Sequence, residues 1–536
     1  RVCIDERVNK IHNTRVPGRF LQDMAIKFVE QVVTGADVNS GIPMTTDEVI
    51  ARQNGPLQKA RSEKEAPWLT WPKSFIVEAF QKREAYGEIK APRNISKMTT
   101  NHTINVAAYT IEFKERILKS IEWYMPCRTP HEIAKALCSY VSDLQTLIET
   151  DFSKFDGSIS RWLRVNVELA CYLRFFHSDF HAKLRELHTN ELNGAGFTTF
   201  GVKYNLDGSR GSGSGWTTDG NSIINAFTSF AAHELQKLSQ SVGMTPEEFL
   251  RYYEEYYVVP ELRRKNWACA NEQRRWRIVN DLLSVADFFP ECDEFGKYEP
   301  ARTSDSWMNI GLIYGDDNVT SCDPLCIQTV CKDLGLKIKV KVVAKNEAVS
   351  YLGRVFIDPW TTRTSFQDLN RTLAKINTTV APANAVPLEV AAHAKVSGYL
   401  PNDSMTPVLG VWCKVMAQAY FNDVKITNDM QLHLTRDQPF CSKQGSVWPQ
   451  DPDDCELIYA VAADTLNVTA RTLRQYEDEM IRISKETHYL SRIARREYIL
   501  RNLSELKCVD WNNLPDTVKV DSSLSVYVQE NGQILE

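Results

Sequence analysis

Tyr314-Gly315-Asp316-Asp317 stands between Asn309 to Tyr314 and a second run that opens Asn318-Val319-Thr320. The spacing predicts a hairpin, with Asn309 to Tyr314 as one strand, Gly315-Asp316-Asp317 as the turn and Asn318 to Thr320 beginning the return. Two adjacent acids at such a tip repel each other unless a cation is present. Upstream, Leu144 to Thr150 reads as a strand ending at Asp151, in Asp151-Phe152-Ser153-Lys154-Phe155-Asp156. Were these strands neighbours in one sheet, Asp151 would meet Asp316. Hard carboxylate oxygens there suit Mg²⁺ or Mn²⁺, and two ions roughly 3.5–4 Å apart would clamp an in-line phosphoryl displacement. Alone, Gly-Asp-Asp is a common surface turn and an Asp-x4-Asp pair is weaker still, so the weight falls on their order and on the element between them.

That element is the glycine-serine cluster Gly208 to Gly215, followed by a helical pattern with Ile223, Ile224, Phe227, Phe230 and Ala231. In isolation the cluster reads as a flexible linker. Because it runs directly into a helix, a loop that cradles a ligand at the helix N-terminus competes with that reading. Earlier in the chain, helices are expected around Ala25 to Val33 and from about Ile159 to Phe176. Past the hairpin, Asp323-Pro324 starts a helix that Gly335 stops. Leu336 to Val343 alternates apolar residues with Lys, as a half-buried strand does, and Val349 to Ile357 reads as another hairpin.

An apolar share of 43% and a charged share of 24% are those of a globular protein. The net charge of −5 gives no global basic field, so any nucleic-acid groove must come from local Lys and Arg clusters. The 13 cysteines include no Cys-x-x-Cys pair, and Cys322, Cys326 and Cys331 do not have zinc-ligand spacing. They read as helical core cysteines in a reducing compartment. No apolar run reaches membrane-spanning length and no signal peptide is visible. The first residue is Arg1 rather than Met, which leads us to expect a piece of a longer product.

In their order, these elements resemble the palm of viral RNA-dependent RNA polymerases of positive-strand RNA viruses. Asp151 to Asp156 resembles motif A. Ser212-Gly213-x-x-x-Thr217-x-x-x-Asn221 resembles motif B, and Tyr314 to Asp317 motif C. Lys82 to Ile95 is similar to motif F, Leu336 to Lys341 with Lys345 to motif D, and Tyr351 to Phe356 to motif E. The wording Asp-Phe-Ser-Lys-Phe-Asp-Gly and Pro-Arg-Asn-Ile looks most like nodavirus-type replicases. The resemblance spans roughly residues 80 to 357. It implies an α+β right-hand fold of fingers, palm and thumb, with an antiparallel palm sheet flanked by helices.

On that basis, residues 1–143 would be fingers and an N-terminal extension. Palm would comprise 144–176 (motif A), 208–236 (motif B) and 301–360 (motifs C, D and E), with 177–207 again fingers. An insertion would fill 237–300, a mainly helical thumb 361–505 and a tail 506–536. Asp151, Asp316 and Asp317 would hold two Mg²⁺ or Mn²⁺ ions, and Lys345 would protonate the leaving pyrophosphate. Lys90 and Arg93 would meet the triphosphate. Asp156 and Asn221 would hold the ribose 2′-hydroxyl, with Ser212, Gly213 and Thr217 in support. Gly211, Gly213 and Gly215 are expected to let their loop flex.

The expected partners are an RNA template, the nascent strand, NTPs and other copies or regions of a viral replicase. Membrane association would come only through segments outside this chain, placing the protein in host cytoplasm at membrane-bound replication complexes. A reverse transcriptase shares the palm but needs a bulky residue near Asp156 to exclude the 2′-hydroxyl. A non-catalytic RNA-binding scaffold would not need acids at both 151 and 316.

Overall fold

The computed structural model describes residues 2–53, 55–71, 74–82, 84, 91–254, 304–380, 384–420, 427, 430 and 447–486. The chain forms two compact units, one of residues 1–82, 93–127 and 146–342, the other of 83–92, 128–145 and 343–536.

Eight strands follow in chain order from the first unit: β1 (Val77–Gln81), β2 (Asn94–Met98), β3 (Thr146–Phe152), β4 (Ala195–Thr198), β5 (Lys203–Asn205), β6 (Leu312–Tyr314), β7 (Asp317–Thr320) and β8 (Ile338–Ala344). They make two four-stranded sheets, ordered β2-β1-β4-β5 and β6-β7-β3-β8. The first is mixed, because β1 runs parallel to β4. In the second, β7 pairs antiparallel with both β6 and β3. The outer edge of β6 is covered by the segment Trp123 to Met125: Ile313 N–H donates to Trp123 O (2.8 Å) and Met125 N–H to Ile313 O (3.0 Å). An α+β class is therefore observed.

Four helices frame the second sheet: α1 (Arg19–Val32), α2 (a continuous helical run from Arg161 to Phe175 with a π-helical stretch at Arg164–Leu169), α3 (Thr217–Ser241) and α4 (Pro324–Leu334). Helix α3 is buried at every position from Asp219 to Ala232 and packs against α1, the π stretch of α2, α4 and β6. A helix apolar on most sides belongs in a core. Here Phe227 and Phe230 of α3 meet Phe28 of α1, each with ring centroids 5.7 Å apart. Cys322, Cys326 and Cys331 are free, buried thiols in the same core, as expected.

Helix α4 has the predicted ends. The Asp323 side chain accepts from Leu325 and Cys326 N–H, and Gly335 takes the left-handed conformation that closes the helix. The strand before the acidic turn is shorter than expected. Gly311 has a φ of +106°, and a Cβ there would overlap the Val319 carbonyl oxygen. The chain is thus extended only from Leu312, while Asp305–Met308 forms a helical turn capped by Ser304.

The second unit holds β9 (Val349–Tyr351), β10 (Arg354–Phe356) and β11 (Ser365–Gln367), in the order β11-β10-β9. The hairpin expected over Val349 to Ile357 is present, with Leu352 and Gly353 both at positive φ in its turn. The helices Leu388–Asp403, Leu409–Tyr420, Cys455–Leu466 and Ala470–Glu486 follow, packed around Trp412, Met416, Ile458 and Met480. Arg354 is buried against Asp403 (3.1 Å) and lies 5.0 Å from the centre of the Trp448 ring. Among the described residues from 361 to Glu486 the character is mainly helical, as expected. Most of 237–300 and the tail 506–536 lie outside the described residues.

Candidate active site

The register of β3 against β7 decides whether the acids meet. Ile148 pairs with Thr320, Glu149 with Val319 and Thr150 with Asn318. Carried on by one residue, this register sets Asp151 opposite Asp317, the first residue of β7. Asp316 sits in the two-residue turn between Tyr314 and Asp317, which are themselves paired. The turn closes because Gly315 adopts a φ of +63°, the geometry a two-residue hairpin asks of its first central residue.

Asp316 feels the carboxylates of residues 151 and 156. Asp316 keeps a solvent-facing tip, yet burial raises its pKa, and Asp156 and Asp151 push it further in the same direction. A hydrogen bond to its own backbone and the nearby Arg93 guanidinium oppose that rise without cancelling it. Among the described residues, no three or more His, Cys, Asp or Glu side chains are already grouped to hold a metal ion.

Asp156 is the second residue of the short helix Phe155–Ser158, entered through Lys154 in a left-handed conformation (φ +54°). Its carboxylate accepts from two sides, Asn221 Nδ2 (2.7 Å) and Ser212 Oγ. Asn221 Oδ1 is buried and has no hydrogen-bond partner among the described residues, so an acceptor oxygen stands beside Asp156. Thr217 does not reach Asp156. Its hydroxyl donates to Ser214 O (3.0 Å) and Gly211 O (3.4 Å), closing the loop on the first turn of α3.

The glycines of that loop also make close contacts. A Cβ at Gly213 would overlap the Ser96 carbonyl oxygen of β2, one at Gly211 would lie 2.9 Å from Met98, and one at Gly215 2.8 Å from Val106. The loop is pressed onto β2 and onto the helix that carries Val106. Only glycine permits that approach.

Arg93 is exposed immediately before β2, where its carbonyl accepts from Lys82 N–H (2.9 Å). Lys90 lies outside the described residues. Lys345 belongs to the second unit, exposed in the turn after β8, with its N–H bonded to Gln145 O (2.9 Å).

Sequence reasoning did not find the residues that hold the acidic turn. Gly315 N–H donates to Ser222 Oγ (2.8 Å) and Asn225 Nδ2 donates to Gly315 O (3.1 Å), so α3 grips both polar groups of one turn residue. Asn318 Nδ2 then donates to Asn225 Oδ1 (3.1 Å) and Ser229 Oγ (2.8 Å). The signal was present: Ser222, Asn225 and Ser229 recur at i, i+3 and i+7 among Ile223, Ile224, Ala226, Phe227 and Phe230. Such a buried polar stripe needs partners.

No protein-family model matches the chain. It is 32% identical over 467 residues to the RNA-directed RNA polymerase of striped jack nervous necrosis virus, a match covering 85% of this chain and 39% of that protein. It is 30% identical over 442 residues to that of Pariacoto virus (82% of this chain, 38% of that protein). Against that of Nodamura virus (strain Mag115) it is 28% identical over 490 residues (89% and 40%). The chain spans about two fifths of the length of these curated relatives. By sequence, then, it is a homologue of that portion of the nodavirus RNA-directed RNA polymerases.

Proposed function

We propose that the chain is the catalytic core of an RNA-directed RNA polymerase with a right-hand fold, in which the sheet β6-β7-β3-β8 with α2 and α3 is the palm. The observation that carries this reading is the β3–β7 register, which carries Asp151 to the Asp316-Asp317 turn, together with the bonds of Ser212 and Asn221 to Asp156. The relatives named as RNA-directed RNA polymerases support the same reading.

The donor set fits a divalent cation. The oxygens are hard, and Asp156 and Asp151 disfavour the charge on Asp316. Mg²⁺ commonly takes one or two carboxylates and completes its shell with substrate phosphates and water, which needs no preformed cluster of three. Asp151 and Asp316 would hold Mg²⁺ or Mn²⁺, with Asp317 in support. Two bound ions supply charge neutralisation at the attacking and leaving oxygens of a phosphoryl transfer.

In that reaction the 3′-hydroxyl oxygen of the nascent RNA bonds to the α-phosphorus of an NTP. The bond to the β-phosphate oxygen breaks, and pyrophosphate leaves. Arg93 offers a planar, bidentate donor for triphosphate oxygens. Asp156 accepts the single proton of the ribose 2′-hydroxyl, and the Asn221 amide bonded to that carboxylate holds the group beside it. The 2′-hydroxyl is thereby matched, and its absence leaves buried polar groups unpaired. Lys345 keeps the part that the resemblance gives it, as proton donor to pyrophosphate. The RNA template, other replicase copies and a site at host membranes complete the proposal.

Primer extension on an RNA template with Mg²⁺ or Mn²⁺ tests this reading. The expected result is NTP incorporation that falls at least about a hundredfold in Asp316→Ala. Preference for dNTPs would point to a reverse transcriptase, and full activity in Asp316→Ala would remove the site.

A further inference from the structure

A set of charged side chains lies wholly inside the first unit, beneath the Gly208 to Gly215 loop. The Arg210 guanidinium pairs with the Glu168 carboxylate, which also meets His188 Nε2 at 3.3 Å. Beside them Arg164 Nη2 reaches Glu191 at 3.3 Å, and Arg164 Nη1 donates to Ser209 O at 3.2 Å. Glu191 in turn meets His102 at 3.0 Å. Arg164, Glu168 and Glu191 are 0% exposed and Arg210 3%, so none can touch a substrate.

We propose that the Glu168–Arg210 pair, seated against the bare backbone of Gly220, is a positioning device that sets Ser212 and Asn221 on Asp156 and so governs the preference for ribose over deoxyribose. This rests on the polymerase reading.

Three observations carry the inference. Arg210 lies two residues before Ser212, and its own N–H donates to the Asp156 carbonyl (3.0 Å). Gly220 precedes Asn221, and a Cβ there would overlap Glu168 Oε2 and lie 2.8 Å from Arg210 Nη2. The ion pair thus touches both arms that grip Asp156, the loop on one side and α3 on the other. Finally, Arg164 and Glu168 come from the π-helical stretch of α2, a local widening often found at functional sites.

The chemistry explains why such a device is kept. A buried ion pair adds little stability over apolar packing of the same volume, because both charges lose their water. What it adds is a fixed register: a guanidinium can satisfy this carboxylate only from one place. Burial alone would raise the Glu168 carboxyl, but Arg210 beside it, with His188 and Arg164, holds it below the ordinary range. Glycine is the poorest helix former apart from proline. Its presence near the start of a 25-residue helix follows from the volume that the pair occupies.

The test uses the full 536-residue chain. Gly220→Ala keeps every charge and improves helix propensity, but pushes Glu168 and Arg210 away from α3. The double variant Glu168→Gln/Arg210→Met removes both charges together, leaving neither stranded. For each, kcat/KM is measured for an NTP and its dNTP, with the heat midpoint and RNA binding as controls. We expect the NTP-to-dNTP ratio to fall at least tenfold while both controls hold. An unchanged ratio in either variant overturns the positioning role, as does unfolding of both, which would make the pair a folding element only. A parent chain that incorporates no NTP, or prefers dNTPs, defeats the polymerase reading instead.

Discussion

Asp316 carries an electrostatic load that the chain leaves unrelieved. Burial, Asp156 and Asp151 all disfavour its charge, against Arg93 and one backbone hydrogen bond. A group in that state lowers the stability of the fold when ionised, and a bound cation reverses the sign. Asp316→Asn is therefore expected to raise the cation-free heat midpoint slightly, by on the order of a degree, and to abolish the rise that Mg²⁺ gives the parent. Scanning fluorimetry with and without Mg²⁺ checks this, and a lower cation-free midpoint in the variant would contradict it. The strand that carries Asp151 and the hairpin that carries Asp316 were legible in the sequence as local patterns. For Gly211, Gly213 and Gly215 the structure adds a steric reason that the sequence did not offer. Sequence carries the freedom of a glycine, whereas the close approach of Ser96, Met98 and Val106 exists only after folding.

At the scale of elements, α3 is the clamp. Its polar stripe of Ser222, Asn225 and Ser229 holds the acidic hairpin, and further along His233 Nε2 lies 3.1 Å from the Thr320 hydroxyl of β7. Burial pushes the His233 imidazole down to about 4 from an ordinary 6.5. An unfolded chain then binds a proton that the folded chain refuses. Stability is whole above pH 6.5 and falls as the pH drops towards about 4, a loss on the order of 2–3 kcal/mol. His233→Gln keeps a hydrogen-bonding side chain and removes the titration. Denaturant melts between pH 7 and 4.5 should show a flatter acid limb in the variant, and parallel limbs would refute the assignment. The ends of α4 were legible because Asp323-Pro324 and Gly335 are local signals. The length of β6 was not, since it depends on Gly311 meeting the carbonyl of Val319 on the neighbouring strand. The parallel pairing of β1 with β4 joins segments more than a hundred residues apart, and no local pattern in either announces it.

On the scale of the whole molecule, two units are built around separate cores. The first contains every described candidate residue except Lys345. Its sheet order β6-β7-β3-β8 interleaves distant parts of the sequence, so that motif A lies beside motif C only through long-range pairing. The order of three motifs made that pairing an expectation, and the β3–β7 register made it a coordinate. The buried ion pairs around Glu168 and Glu191 had no counterpart in the sequence reading. Isolated Arg and Glu on a helix pattern read as a solvated face until packing shows them enclosed. The central claim is that Asp151 and Asp316 share a divalent cation beside a ribose-reading pocket. Crystals soaked with Mn²⁺ and an NTP, with anomalous scattering recorded at the manganese edge, test it most directly. The account predicts manganese peaks between the Asp151 carboxylate and the Asp316-Asp317 turn, with the NTP ribose against Asp156. Manganese bound at a different acidic group, with none at these carboxylates, would contradict it.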